Sequence, residues 1–445
     1  MEKPHPLVRS LLLAAASVVP LAATSTAHAI PAFARQYNTS CQTCHTAFPD
    51  LNPTGEAFRR MGYRFPAGIA PQTEEAETVP LGQPAMRAVF PSETFPGVLP
   101  GQMPIAAFIS TGLQMQRGLP AEESTAPIDG TAPAGAWGVN AGSTEVALLM
   151  AGTLGDRISF FGELATGGGE IELERANMTF SLLEPPTIML TAGILDPGLN
   201  PFYADRNILF DAFAFSNVTL GDNAWSPNNN DFGLQVSGVL AHRLSYWAGA
   251  LEGSGGVLDR DKDYYGRLSY KIGGLAPDGT DSGGFSRQWQ ELSVAVGVSA
   301  YHGVAAFEDS VDDMGMPVPG HRDPFWRASG DLDVRLRDLH LVVSAFHQAD
   351  NAPLADDSMA TTKGSLTGML AQADYVVWPW FVPTVRYMFF REDLGMGGQS
   401  GNRVLAGVTA LVRENIRVSF YGELRADTGA SAHLETLSLR LVAGF

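Results

Sequence analysis

The sequence predicts a mainly β protein: a closed antiparallel barrel of about 16 strands behind a small α-helical N-terminal segment. Three observations carry this prediction. From about Gly101 onward the chain runs in short stretches of alternating apolar and polar residues, the period of strands. Tight turns and longer polar stretches alternate between them, as in barrels that cross an outer membrane. Composition agrees, since 48 glycines and 45% hydrophobic residues broken into short pieces suit strands and turns better than long helices.

Residues 1–29 read as a secretory signal peptide. Lys3 and Arg9 precede an apolar run from Leu11 to Ala23, and small residues end at Ala27-His28-Ala29. The mature chain is therefore expected to begin near Ile30. The apolar run is too short to span a bilayer, and no later stretch reaches the roughly 20 apolar residues of a transmembrane helix.

Residues 30–75 form the helical segment, and in it stands Cys41-Gln42-Thr43-Cys44-His45. This is the pattern of covalent c-type haem attachment. Two thiols one turn apart reach one edge of a porphyrin as thioethers, while the imidazole of His45 swings beneath the iron as proximal ligand. A Cys41–Cys44 disulfide, redox-active or structural, and half a zinc site with His45 are the other readings. The first wants a βαβ context that this stretch lacks, and the second wants a further ligand from distant histidines. These two cysteines are the only ones in the chain, although an exported protein could use several disulfides. Their role is local and chemical, and one haem c is the expected cofactor.

A short helix follows the motif, with Asn52 as its cap, Pro53 in its first turn and Gly62 at its end. Phe58 and Met61 then share a face. The Met61 thioether is the expected sixth iron ligand, which would raise the reduction potential relative to bis-His ligation. Packing of a flexible methionine into a small core is the competing reading, and Met86 and Met103 are second choices. Arg59 and Arg60 either meet haem propionates or lie in solvent.

Residues 76–100 read as a linker and 101–445 as the barrel. In the last strand Leu437, Leu439, Leu441, Ala443 and Phe445 share one face, opposite Thr436, Ser438, Arg440 and Val442. Ile416, Val418, Phe420 and Leu424 likewise oppose Arg417, Ser419, Tyr421, Glu423 and Arg425. An apolar outside and a charged inside suit a membrane barrel, whose lumen is wet and whose exterior meets lipid. Tight periplasmic turns are expected at Leu154-Gly155-Asp156, Glu184-Pro185-Pro186, Ala241-His242-Arg243, Arg337-Asp338, Trp378-Pro379-Trp380 and Arg413-Glu414-Asn415. Outer loops are expected at Gly118 to Gly142, Leu199 to Asn230, Gly303 to Arg322 and Ala349 to Lys363. The Gly-rich connection from Ile272 to Arg287 departs from the scheme, being long where a short turn belongs. Tyr375, Trp378, Trp380 and Phe381 would sit in the periplasmic aromatic girdle, and Phe445 has the place of a C-terminal barrel signal.

A net charge of -18 excludes nucleic acid and an anionic membrane surface as partners. Loop acids cluster at Glu122-Glu123, Glu308-Asp309, Asp312-Asp313 and Asp356-Asp357, which could concentrate a divalent cation at the outer mouth. Asp259-x-Asp261-x-Asp263 begins a calcium-loop spacing but lacks the glycine and distal glutamate. With no Ser-His-Asp order and no phosphate-binding glycine loop, hydrolytic catalysis has no support.

Pro31-Ala32-Phe33-Ala34-Arg35-Gln36, the Cys41 to His45 motif, Phe48-Pro49-x-Leu51, Gly55-x-x-Phe58 and Gly62-Tyr63 resemble the fused monohaem cytochrome and porin family of bacterial outer membranes. The resemblance implies Fe(II) oxidation at the cell surface, with electrons passed inward to a periplasmic c-type cytochrome or another soluble carrier. On that reading the protein is an electron carrier, an iron(II):cytochrome c oxidoreductase. A single haem cannot bridge a membrane band about 25 Å tall from outside it, so the helical segment is expected to enter the barrel from the periplasmic end. Two other functions stay open: a diffusion porin with a haem sensor or docking segment, and outward delivery of electrons to an extracellular acceptor.

Overall fold

The computed structural model describes residues 32–66, 103–117, 137–167, 170–201, 218–227, 229–254, 261–281, 289–311, 320–354, 362–395, 398–427 and 431–444, with short pieces at 79–80, 88–89, 98–99, 208–209, 287 and 317–318. The expected signal peptide and most of the expected linker lie outside the described residues. Among the described residues, no helix is long and apolar enough to cross a membrane.

The N-terminal segment contains helix α1 (Ala32–Gln36), the short strands β1 (His45–Ala47) and β2 (Asp50–Leu51), and helix α2 (Pro53–Arg60). The barrel follows with β3 (Ile105–Arg117), β4 (Trp137–Leu154), β5 (Ile158–Gly167), β6 (Glu170–Ser181), β7 (Met189–Leu195), β8 (Asp231–Leu240), β9 (Leu244–Leu251) and β10 (Asp263–Gly273). It continues with β11 (Leu292–Ala306), β12 (Arg322–Leu336), β13 (Leu339–Asp350), β14 (Gly364–Tyr375), β15 (Phe381–Asp393), β16 (Gly398–Arg413), β17 (Ile416–Asp427) and β18 (His433–Gly444). Each strand pairs antiparallel with its successor. The last pairs with the first, from Thr436 opposite Gln116 to Gly444 opposite Phe108, so these 16 strands close without an edge.

Period-2 alternation decides which side chains face inward. On β18, Leu439 and Leu441 are 43% and 44% exposed on the outside, whereas Ser438 and Val442 are buried inside. On β17, Arg417, Ser419, Tyr421 and Glu423 all turn inward and are buried. The same apolar exterior appears at Leu234, Val298, Val385 and Phe420. A water-soluble fold does the reverse, so this surface is built to face lipid, where only a closed barrel or a helix satisfies its backbone.

All six tight turns form where the spacing places them, at one end of the barrel. Ala241 and His242 both take positive φ, 47° and 64°, as the central residues of a type I′ turn do, with the Arg243 amide donating to Leu240 O at 3.2 Å. The long Gly273 to Leu292 connection also lies at this end, where the Leu275 amide donates to Glu291 Oε2 at 2.9 Å. Trp378 and Trp380 stack there at 5.2 Å, half-exposed as girdle residues are.

The N-terminal segment lies in the lumen at the short-turn end. Arg35 donates to the Ile105 carbonyl, Gln42 to Pro379 O at 2.9 Å, Ser40 to Glu414 at 2.6 Å, and Arg64 to Gly155 O and Ile158 O at 2.7 and 2.9 Å. Phe48 packs against inward-facing Phe108, Ala147, Ala165 and Val442. On the other side Ala47 joins Val382, Leu405, Leu411 and Tyr421.

One expectation is corrected. Leu199 to Asn230 does not form an outer loop, because its described parts turn into the lumen. Leu199 O accepts from Arg267 on β10 and Ser299 on β11 at 2.9 and 2.7 Å. Ile208 O accepts from Arg417 on β17 at 2.6 Å. Ile208 and Leu209 then pack in the cluster that contains Ala47, and Leu220 packs among Val342, Phe346, Leu366 and Leu370. The connection is rich in apolar residues, which gain by burial, and inward arginines supply donors for its carbonyls.

Candidate functional site

The attachment motif is held by two neighbours in sequence. Cys41–Thr43 forms one 3-10 turn, capped by Ser40, whose hydroxyl accepts from the Gln42 amide at 3.1 Å. Asn52 caps α2 through the Gly55 amide at 3.0 Å, and its side-chain amide donates to Gln42 O and Thr43 O at 3.0 and 3.2 Å. One buried asparagine thus ties the helix to the motif. Gly55 allows the close approach, for a Cβ there would lie 2.1 Å from the Cys44 carbonyl oxygen. Phe58 packs edge-on against Phe33 and Tyr37 at 5.1 and 5.6 Å, closing a small aromatic core.

Cys41, Cys44 and His45 border one cavity of about 710 Å³, within the range of cofactor sites. Its far wall is the barrel, through residues of β3 to β9 and Arg440 of β18. It runs from the motif to Glu174, Asp196 and Asn230, where β6, β7 and β8 approach the loop end. Arginines and acids are balanced along it. Arg59 pairs with Glu56 at 3.0 Å, Arg175 Nε donates to Glu163 at 2.8 Å, and the Arg60 guanidinium lies 5.1 Å over the Trp247 ring.

These residues fit a covalently held haem. His45 Nδ1 donates to Pro49 O at 3.1 Å, which orients the ring and leaves Nε2 for a metal. Burial pulls the His45 imidazole down to about 4, so it is neutral at physiological pH, the form that ligates. The cysteines are not bonded to each other. Burial, aided by the Glu414 carboxylate, pushes the Cys41 thiol up to about 11, and burial pushes Cys44 up to about 12. A redox-active dithiol needs the opposite shift. Among the described residues, no group of three or more His, Cys, Asp or Glu is placed to hold a metal ion; Asp259 of the calcium-like spacing lies outside the described residues.

Met61 is placed elsewhere. It is the C-cap of α2, where the backbone leaves the helix, and it is absent from the described cavity lining. Met103 is exposed, and Met86 lies outside the described residues. Sequence reasoning missed the wall side chains that complete the cavity, notably Arg175, Met189, Gln235 and Trp247. Alternation marks each as inward, but only the barrel's closure brings four different strands to one side of the segment.

No family model and no curated protein matches the chain. Among solved structures it is similar to OmpT, an outer membrane protein of Vibrio cholerae. The loop L8 deletion mutant aligns at TM-score 0.50 and 11% identity over 77% of this chain and 98% of that one. The trimer form aligns at TM-score 0.50 and 10% identity over the same shares, 77% and 98%. The outer membrane channel DcaP of Acinetobacter baumannii aligns at TM-score 0.46 and 12% identity over 77% and 96%. The OmpT likeness is one of fold: this chain is a porin-like outer-membrane type of β-barrel.

Proposed function

We propose that the protein passes single electrons across the outer membrane, between a donor at the outer mouth and a soluble carrier in the periplasm, through one haem c held inside the barrel. The donor is Fe(II) and the carrier a periplasmic c-type cytochrome, on the family resemblance. One observation carries this reading: Cys41, Cys44 and His45 border a single cavity whose opposite wall is the barrel and whose far end approaches the loops. A haem bound there supplies a reversible one-electron couple.

The chain's own residues do the rest. Cys41 and Cys44 would hold the haem covalently and His45 would bind its iron, while Pro49 O keeps the His45 ring in one orientation. Asn52 and Gly55 keep the motif on α2. The described parts of the segment and of the inward connection occupy part of the lumen beside the cavity. The acids Glu174 and Asp196 stand on the approach a cation would take from the loop end.

The test mixes Fe(II) with anaerobic membranes containing the protein and follows haem absorbance. Reduction is expected for the natural chain, and loss of both covalent haem and signal for Cys41→Ala with Cys44→Ala. No reduction at any pH would remove iron as donor. A diffusion channel with a haem sensor is the second reading, and the porin-like fold favours it. The inward packing of Phe48 and Ala47 from the segment and of Ile208, Leu209 and Leu220 from the connection opposes it. Sugar flux through liposomes holding the purified protein separates the two, because a conduit for electrons alone leaks little.

A further inference from the structure

We infer that the barrel wall, through Met189 on β7, supplies the sixth ligand to the iron held by His45. The inference rests on the haem reading above. Met189 borders the same cavity as His45. Among the described lining residues, His45 is the one imidazole and Met189 the one thioether. Tyrosine can also ligate haem iron, but the Tyr246 hydroxyl already donates to Thr187 O at 2.9 Å. The Tyr63 ring is stacked on Phe33 and Phe161.

Met189 is also out of character for its position. Although other inward places of this barrel are apolar, its register partners on β6 and β8 are Ser181 and Ser237, with Thr191 next on its own face. Amid these hydroxyls stands a buried thioether whose sulfur lies 3.9 Å from where a Cβ of Gly62 would be. The sulfur thus reaches the end of α2 on the cavity side, whereas Met61, the C-cap of that helix, is not among the residues that line the cavity. Gap-filling beneath Gly62 is the competing account, and the two diverge in what they tolerate. Leucine fills a gap as well as methionine does, but it cannot bind iron. Methionine opposite histidine also sets a higher potential than bis-His ligation, the direction that acceptance of electrons from Fe(II) requires.

Full-length holoprotein is purified as the natural chain and as Met189→Leu, Met189→His and Met61→Leu. Covalent haem is verified by mass, the barrel by heat-modifiable migration, and ferric spectra and reduction potentials are recorded. The methionine-to-iron charge-transfer band is expected in the natural chain and in Met61→Leu, and its loss with a lowered potential in Met189→Leu. Met189→His is expected to give a low-spin bis-imidazole spectrum at a lower potential still, which packing alone would not produce. Retention of the band in Met189→Leu, or its loss in Met61→Leu, overturns the assignment while leaving the haem reading intact. A natural chain purified without covalent haem overturns both.

Discussion

The two sides of the lumen differ in what they meet. From β10 to β17 the wall is filled: Arg335 donates to Leu51 O at 3.2 Å, Asp50 lies beside His340, Asp374 and Arg335, and Arg267, Arg417 and Ser299 hold the carbonyls of the inward connection. From β3 to β9 the wall stands back, and the motif faces it across the cavity. Charge-bearing hydrogen bonds anchor the segment on both sides, from Arg335 to Leu51 O on one and from Arg35 and Arg64 to carbonyls of β3 and the β4–β5 turn on the other, and the cavity beside these contacts, toward β6 to β9, is where a cofactor can lie. Placement of the site is a consequence of asymmetric packing, since the barrel itself is a regular closed sheet.

Three changes break or sharpen this contrast, from the largest expected effect to the smallest. Gly55→Val should act most strongly, because its Cβ would meet the Cys44 carbonyl at 2.1 Å. Overpacking of about 1–3 kcal/mol or more would push the motif off α2 and out of the cavity. Haem-stained gels are expected to show most covalent haem lost while the barrel still migrates as folded. Unchanged haem content would mean that the open side does not depend on this approach.

On the filled side, Arg417→Ala removes the donor to Ile208 O, a charged hydrogen bond of about 1.5–3 kcal/mol. The inward connection should loosen, and single-channel conductance in planar bilayers should rise with the haem spectrum unaltered. A shifted spectrum would show that the two sides are coupled.

The smallest effect is one of pH. Burial, with Asp374 nearby, pushes the Asp50 carboxyl from 3.8 up to about 7, while His340, Arg335 and Thr46 pull it back. A carboxyl raised in the folded state binds its proton more tightly there than in the unfolded chain. Its penalty is therefore absent below 3.8, grows as pH rises to about 7, and is constant above. Limited proteolysis of the segment should accelerate modestly over that window. In Asp50→Asn the acceleration should vanish, and a persisting slope would place the titrating group elsewhere.

Much of the molecule was legible as local pattern. Asn52, Pro53 and Gly62 bound α2 as their chemistry requires, with Gly62 at φ 67° past the helix end. Alternation on β17 and β18 assigned inside and outside correctly, because a strand's side chains have no third direction. Where the reading missed, distant contacts won. Ile208 and Leu209 sit in a connection rich in apolar residues, and Ile208 O accepts from Arg417, 209 residues away along the chain. Phe58 and Met61 stand three apart at the end of α2, and Phe58 borders the cavity whereas Met61, the C-cap, is not among its lining residues.

By itself, then, the sequence determined the antiparallel barrel and the helix beside the motif, and it is the source of the proposal that Cys41, Cys44 and His45 hold a haem. These rest on spacings of one to four residues, which local geometry enforces. Only the tertiary structure decided which wall the motif faces, which connection fills the lumen, and that Met189 rather than Met61 borders the cavity. Those outcomes depend on closure of the sheet, which brings together residues that no short-range pattern relates.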